Sequence, residues 1–247
     1  MSRPNPVSVT EDLNERIKGL TFEEKVEWYY NPLDYAFEVH KAYLKSFGND
    51  TKTGFFLGMN PGPWGMAQTG IPFTDPHIAR DWMGLPERPI GTPPNEREDR
   101  PVDGWSSDRK EASGQKLHGY FRNIFGSLDA FFETNIVMNY CPLVMFSEEA
   151  TNLTPEDLLK DDRQALFDIC DPYLGDLIEF YDPDVFVGIG RFGQRRLMEL
   201  TERTEEEVAY LPHPSPASPI ATRDGGDYWR GLVDDMLEEW DLLPDST

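Results

Sequence analysis

The chain has 247 residues, 38% of them hydrophobic, and a formal charge of −22 from 45 acidic against 23 basic residues. That length suits one domain with a sizeable core; no apolar run approaches the ~20 residues of a membrane span, and residues 1–6 lack the apolar stretch of a secretory signal, so a cytoplasmic protein that engages no membrane is expected. So acidic a composition lacks the basic footprint of a polyanion binder, and the two cysteines, Cys141 and Cys170, have neither the number nor the spacing of a disulfide framework or a zinc site.

In chain order, residues 1–20 read as an N-terminal arm of a single domain over 1–247. Thr21 and Glu24 have the spacing of a helix capping box and predict an aromatic-rich helical stretch toward Phe47, interrupted near Asn31 and Pro32. Apolar runs at 54–59, 134–138, 184–189 and 207–211 predict buried strands. Helical periodicity follows at 119–132, 163–181, 191–200 and 228–240. The proline-rich stretch 85–103 has little periodicity and predicts an ordered surface loop. Strands alternating with helices predict an α/β fold with a mostly parallel sheet of about four strands.

Each predicted strand runs into a polar cluster: Asn60 after the first, Asn139-Tyr140-Cys141-Pro142 after the second, Gly188-Ile189-Gly190-Arg191 at the third, His213-Pro214-Ser215-Pro216 after the fourth. In an open parallel sheet these ends share one edge, where ligands bind. The first cluster opens a run from Gly58 to Phe73 with four glycines and three prolines between residues 58 and 73. Proline fixes φ and glycine permits close backbone approach, so the loop's path is set. It can hold an amide, Asn60, and a ring, Phe73, around a flat ligand.

The loop 58–73, the Asn139–Leu143 segment, Asn152-Leu153-Thr154-Pro155 and His213-Pro214-Ser215-Pro216 together resemble the single-strand-selective monofunctional uracil-DNA glycosylases of the uracil-DNA glycosylase superfamily. The similarity extends to Arg80-Asp81-Trp82, Arg100-Pro101-Val102, Ser113-Gly114 and Phe121-Arg122-Asn123, and so spans residues 50–240. It implies a three-layer α/β/α sandwich that acts as a monomer without metal or other cofactor. Its activity would be hydrolysis of the N-glycosidic bond of uracil, and of 5-modified uracils such as 5-hydroxymethyluracil, in single- and double-stranded DNA during base excision repair.

The implied roles agree with side-chain chemistry. His213 is similar to the histidine that hydrogen-bonds uracil O2, where negative charge collects as the bond breaks; its protonation state is open at this point. Asn60 stands where some relatives carry aspartate; an amide is no general base, so it orients the attacking water. Asn139 offers both a donor and an acceptor, matching uracil O4 and N3–H and mismatching cytosine. Phe73 resembles the ring stacked on the flipped base. Gly62 leaves room beside C5, and Met59 and Met66 supply walls. The motifs contain no lysine, Lys52 and Lys116 being the nearest, which disfavours a Schiff-base lyase.

The segment from Pro216 and Ala217 through Ile220 to Arg223 resembles the wedge that fills the gap left by the extruded base. Relatives carry arginine where this chain has Ala217. Arg191, Arg195, Arg196 and Lys116 are candidates for phosphate contact. Two other readings stay open: a related glycosylase for deaminated purines such as xanthine or hypoxanthine, and a nucleobase-binding module without turnover. The acidic composition, with eight lysines against fifteen arginines, fits a surface adapted to high salt, where self-repulsion is screened.

Overall fold

The computed structural model describes residues 5–244. Its centre is a four-stranded parallel sheet in the order β3–β2–β6–β7, formed by Asn135–Asn139, Gly54–Gly58, Val185–Ile189 and Ala209–Leu211. Gly58 pairs with Asn139, Leu57 with Gly188, and Ile189 with Leu211, so all four strands end on one edge. Every residue of β2, β3 and β6 is buried, which is why these runs read as continuously apolar.

With the helices around it the sheet makes the expected α/β/α sandwich. They are α1 (Pro6–Ile17), α2 (Pro32–Tyr35), α3 (Phe37–Phe47), α4 (Met66–Thr69), α5 (Ala112–Phe125), α6 (Leu128–Thr134), α7 (Lys160–Tyr181), α8 (Arg191–Thr201), α9 (Pro219–Thr222) and α10 (Asp227–Glu239). The single helix expected over 119–132 is two, because Gly126 adopts φ 79° and Ser127 then caps α6 by accepting from the Ala130 N–H at 3.1 Å. The strand expected over 207–211 is shorter, Ala209–Leu211, since Thr204 and Glu207 close a reciprocal cap on a short helical turn before it. The 85–103 loop is as expected, apart from one Arg97–Arg100 bridge.

Two expectations at the N-terminal end are corrected. Residues 6–17 of the supposed arm form α1, capped by the Asn5 side chain accepting from the Val7 N–H at 2.9 Å. Its Val9, Leu13 and Ile17 join the core, and the helix packs on α7. The capping-box helix at Thr21 does not form. The Glu23 N–H goes instead to Asp162 at 3.0 Å, and Trp28–Tyr30 makes β1 in a second sheet with β4 (Val144–Phe146) and β5 (Asn152–Leu153). Three consecutive aromatics favour the pleated, half-buried surface of a strand over a helix, and Trp28 stacks on Phe146 at 5.1 Å to claim that surface.

No helix among the described residues is long and apolar enough to cross a membrane. Because α1 is part of the core, Leu13→Ala, at a side chain only 1% exposed, is expected to lower stability by about 2–5 kcal/mol in urea unfolding. An unchanged midpoint would return residues 6–17 to the status of an arm.

Candidate functional site

At the carboxyl edge of the four-stranded sheet lies a cavity of about 380 Å³. Met59, Asn60, Gly62, Met66, Phe73, Asn139 and His213, expected to work together, all line it. The backbone pairing of β2 and β3 continues past the strands, with the Tyr140 N–H donating to Gly58 O at 3.0 Å and the Cys141 N–H to Met59 O at 2.9 Å. That zipper keeps the Asn60 loop and the Asn139 loop in register.

Two close approaches fix the aromatic wall. A Cβ on Gly58 would lie 2.4 Å from Phe73 Cε2 and 2.6 Å from Asn139 Oδ1, so no side chain larger than hydrogen fits beneath the pocket. A Cβ on Gly114 would lie 1.8 Å from the carbonyl oxygen of Phe73. Phe73 itself is held at φ 54°, a conformation costly for a bulky L-residue and kept only where its surroundings over-determine it. Its ring lies 5.9 Å from that of His213 at 45°.

The two amides have opposite states. Asn60 donates through Nδ2 to Leu143 O at 3.3 Å and to Leu153 O at 3.0 Å, so its NH2 group is consumed and its orientation settled. Oδ1, an acceptor, is left for a ligand or water. Asn139 is buried at 6% exposed, yet among the described residues its Oδ1 has no hydrogen-bond partner and its Nδ2 meets only the Met66 Sδ at 3.5 Å. A buried acceptor left unmade costs on the order of 1–3 kcal/mol, a cost that a ligand bearing an N–H would recover.

His213 is defined on both sides of its ring. The Ser215 N–H donates to Nδ1 at 3.2 Å. An imidazole nitrogen that accepts carries no proton, so the hydrogen sits on Nε2. Burial disfavours the charged form and holds the His213 pKa below the ordinary histidine value. At neutral pH the site therefore presents a neutral imidazole with one N–H to donate.

Six further residues line the cavity: Pro61, Glu111, Ser113, Asn152, Thr154 and Ser215. Asn152, Thr154, Ser113 and Ser215 lie within segments singled out by resemblance but not as site residues. Glu111 had no sequence signal. It caps α5, accepting from the Ser113 N–H at 3.2 Å and from the Gly114 N–H, and burial together with nearby Asp75 raises its carboxyl pKa. Asp75, fully buried, in turn accepts from the Glu111 N–H at 2.9 Å and from Gln115 Nε2 at 2.7 Å.

None of the four wedge candidates is among the residues that line the cavity. Pro216 and Ala217 are exposed, directly after Ser215. Ile220 packs against the core and lines a different groove with Leu232, Met236 and Trp240. Arg223 pairs with Asp224 at 3.5 Å and lies over the Tyr228 ring. Of the arginines named for phosphate contact, Arg191 pairs with Glu205 and Arg195 with Glu156, while Arg196, 8% exposed, is held by Asp171 and Glu199.

Residues 45–237 match the family model described as the Uracil DNA glycosylase superfamily. A single-strand selective monofunctional uracil DNA glycosylase of Bos taurus is 38% identical over 251 residues, covering 98% of this chain and 90% of that protein. The Mus musculus protein of the same name is 39% identical over 236 residues, covering 94% and 82%. A crystal structure of SMUG2 from Pedobacter heparinus superimposes with a TM-score of 0.64 at 16% identity, covering 96% of this chain and 99% of that one, which supports the fold. The chain belongs to the uracil DNA glycosylase superfamily.

Proposed function

We propose that the protein is a monofunctional uracil-DNA glycosylase of base excision repair that hydrolyses the bond between uracil N1 and deoxyribose C1′. The observation that carries the reading is the convergence, in one cavity, of a neutral Nε2–H donor at His213, an unpartnered buried acceptor at Asn139 and an aligned acceptor at Asn60. The family membership and the named relatives supply the substrate class.

Uracil extruded from the stack enters the cavity and lies against Phe73. Asn139 Oδ1 accepts from N3–H and Nδ2 donates to O4; cytosine, with an acceptor at N3 and a donor at C4, reverses both. As the C1′–N1 bond breaks, its electron pair passes to the base and spreads onto O2, while C1′ and the ring oxygen share positive charge. His213 Nε2–H faces O2 and stabilises that anion. A preorganised donor of this kind contributes about 2.7–4 kcal/mol. Asn60 Oδ1 accepts a hydrogen bond from the water whose oxygen adds to C1′, and the water's proton leaves to the departing uracil anion or to solvent. An abasic site remains.

Space is open at Gly62, where a Cβ would meet nothing within 4 Å. That room fits acceptance of 5-substituted uracils such as 5-hydroxymethyluracil.

Incubation with a uracil-containing oligonucleotide followed by alkali is expected to cleave the strand at uracil, with Asn60→Ala slower by on the order of 100-fold. No alkali-labile site at any salt concentration would favour a binding module, and faster release of xanthine or hypoxanthine than of uracil would favour the purine-directed alternative. The single-turnover rate is expected to be flat across neutral pH and to fall only below the ordinary histidine range, as His213, its pKa depressed by burial, takes up a proton and loses its fit to Ser215 N–H. A rate that rises on acidification through that range would show that the imidazolium is the active form.

A further inference from the structure

A polyanion that approaches a chain of net charge −22 needs a local cationic landing point, and most arginines here are spoken for. Those of the wedge segment, α8 and α10 are tied to carboxylates: Arg223 to Asp224, Arg191 to Glu205, Arg195 to Glu156, Arg230 to Asp227. Arg109 and Lys110 differ. Both are exposed, and among the described residues neither has a carboxylate within the 4.0 Å of an ion pair, Asp108 beside them included.

They lie on the rim of the cavity. Lys110 directly precedes Glu111, which lines it, and Trp64 stands two residues after Gly62, which lines the opposite strap. Two residues of chain span at most ~7 Å, so Arg109 and Trp64 are both within that reach of the pocket wall. Across the two straps the Arg109 guanidinium carbon sits 3.9 Å above the half-buried Trp64 ring. Stacking of this kind removes much of the side chain's freedom while leaving the N–H edge of the guanidinium open to a phosphate. The platform is therefore already in place before DNA arrives.

We propose that Arg109, stacked on Trp64, and Lys110 bind the phosphates of the uracil-bearing strand next to the extruded nucleotide. This is the phosphate anchor that the tied arginines do not supply. It rests on the glycosylase reading for its substrate. It explains how an acidic protein holds DNA at the pocket mouth without a basic face: two unpaired cations at one rim suffice to set the register of the strand, and base selection is left to the cavity.

The test uses the full chain and a uracil-containing single-stranded oligonucleotide. Kinetics and anisotropy binding are followed across a salt series for the wild type, Arg109→Gln, Lys110→Gln and the double variant. Each single substitution is expected to raise KM about 10-fold, to leave kcat within about twofold, and to make the log–log salt dependence of binding shallower by ~0.7, the share of one phosphate on a single strand. Trp64→Leu, which removes the plate but not the charge, is expected to raise KM with the salt slope unchanged. Arg203→Gln is the control: Arg203 has no ion pair among the described residues and lies over Phe186 near the start of β6, at the far end of the sheet from the cavity. It is expected to change nothing.

An unaltered slope in the double variant, or a fall in kcat with KM unmoved, would overturn the assignment. Absence of turnover in the wild type with the binding slope still shifted by Arg109→Gln would sink the glycosylase reading and leave the anchor standing.

Discussion

A half-buried imidazole whose Nδ1 already accepts the Ser215 N–H has one proton to offer and one direction in which to offer it. Everything around His213 preserves that state. Burial withholds the solvation that a second proton would need, and the Phe73 ring lies 5.9 Å from the imidazole. A cation at this point would attract DNA more strongly, but it would lose the backbone hydrogen bond that aims Nε2. The site uses geometry in place of charge, consistent with a chain that carries so little positive charge elsewhere.

The remaining parts are held by the same economy of backbone contacts. The four-stranded sheet delivers Asn139 and the Asn60 loop to one edge, and continued pairing at Tyr140 and Cys141 keeps them level. The small antiparallel sheet then fixes Asn60, because the carbonyls of Leu143 and Leu153 that hold its NH2 group flank and belong to strands β4 and β5. Buried β1 strengthens that brace from the opposite side through Trp28 and Phe146. The second sheet is thus a support for the Asn60 amide rather than an ornament of the fold. Glu111 and Asp75 play the matching part on the other wall, pinning the start of α5 so that Gly114 can press against Phe73.

Much of this was legible in the sequence, and the misses have physical causes. Strands buried on both faces are continuous apolar runs, so β2, β3 and β6 were found within a residue or two. Asn60, Asn139 and His213 were legible because each follows such a run, and the order of their motifs resembles a known family. The β1–β4–β5 sheet was not, since strands of two or three residues carry no periodicity and the β1–β4 pairing joins residues over a hundred positions apart. The Thr21–Glu24 pattern misled for the same reason: local capping lost to tertiary pairing by Trp28 and Tyr30. Glu111 was invisible because a carboxylate at a helix N-cap looks like any surface acid until Gly114 and Asp75 are placed beside it. The protonation of His213 needed the Ser215 N–H, which no sequence displays.

The account depends most on His213 entering the reaction as a neutral ring with its hydrogen on Nε2. Nitrogen-15 correlation spectra of the histidine rings, taken at neutral pH with uracil bound and assigned by His213→Gln, test this directly. The account predicts an unprotonated Nδ1 and a protonated Nε2 for His213, the latter shifted by contact with uracil O2. An imidazolium signature, or a hydrogen on Nδ1, would contradict it.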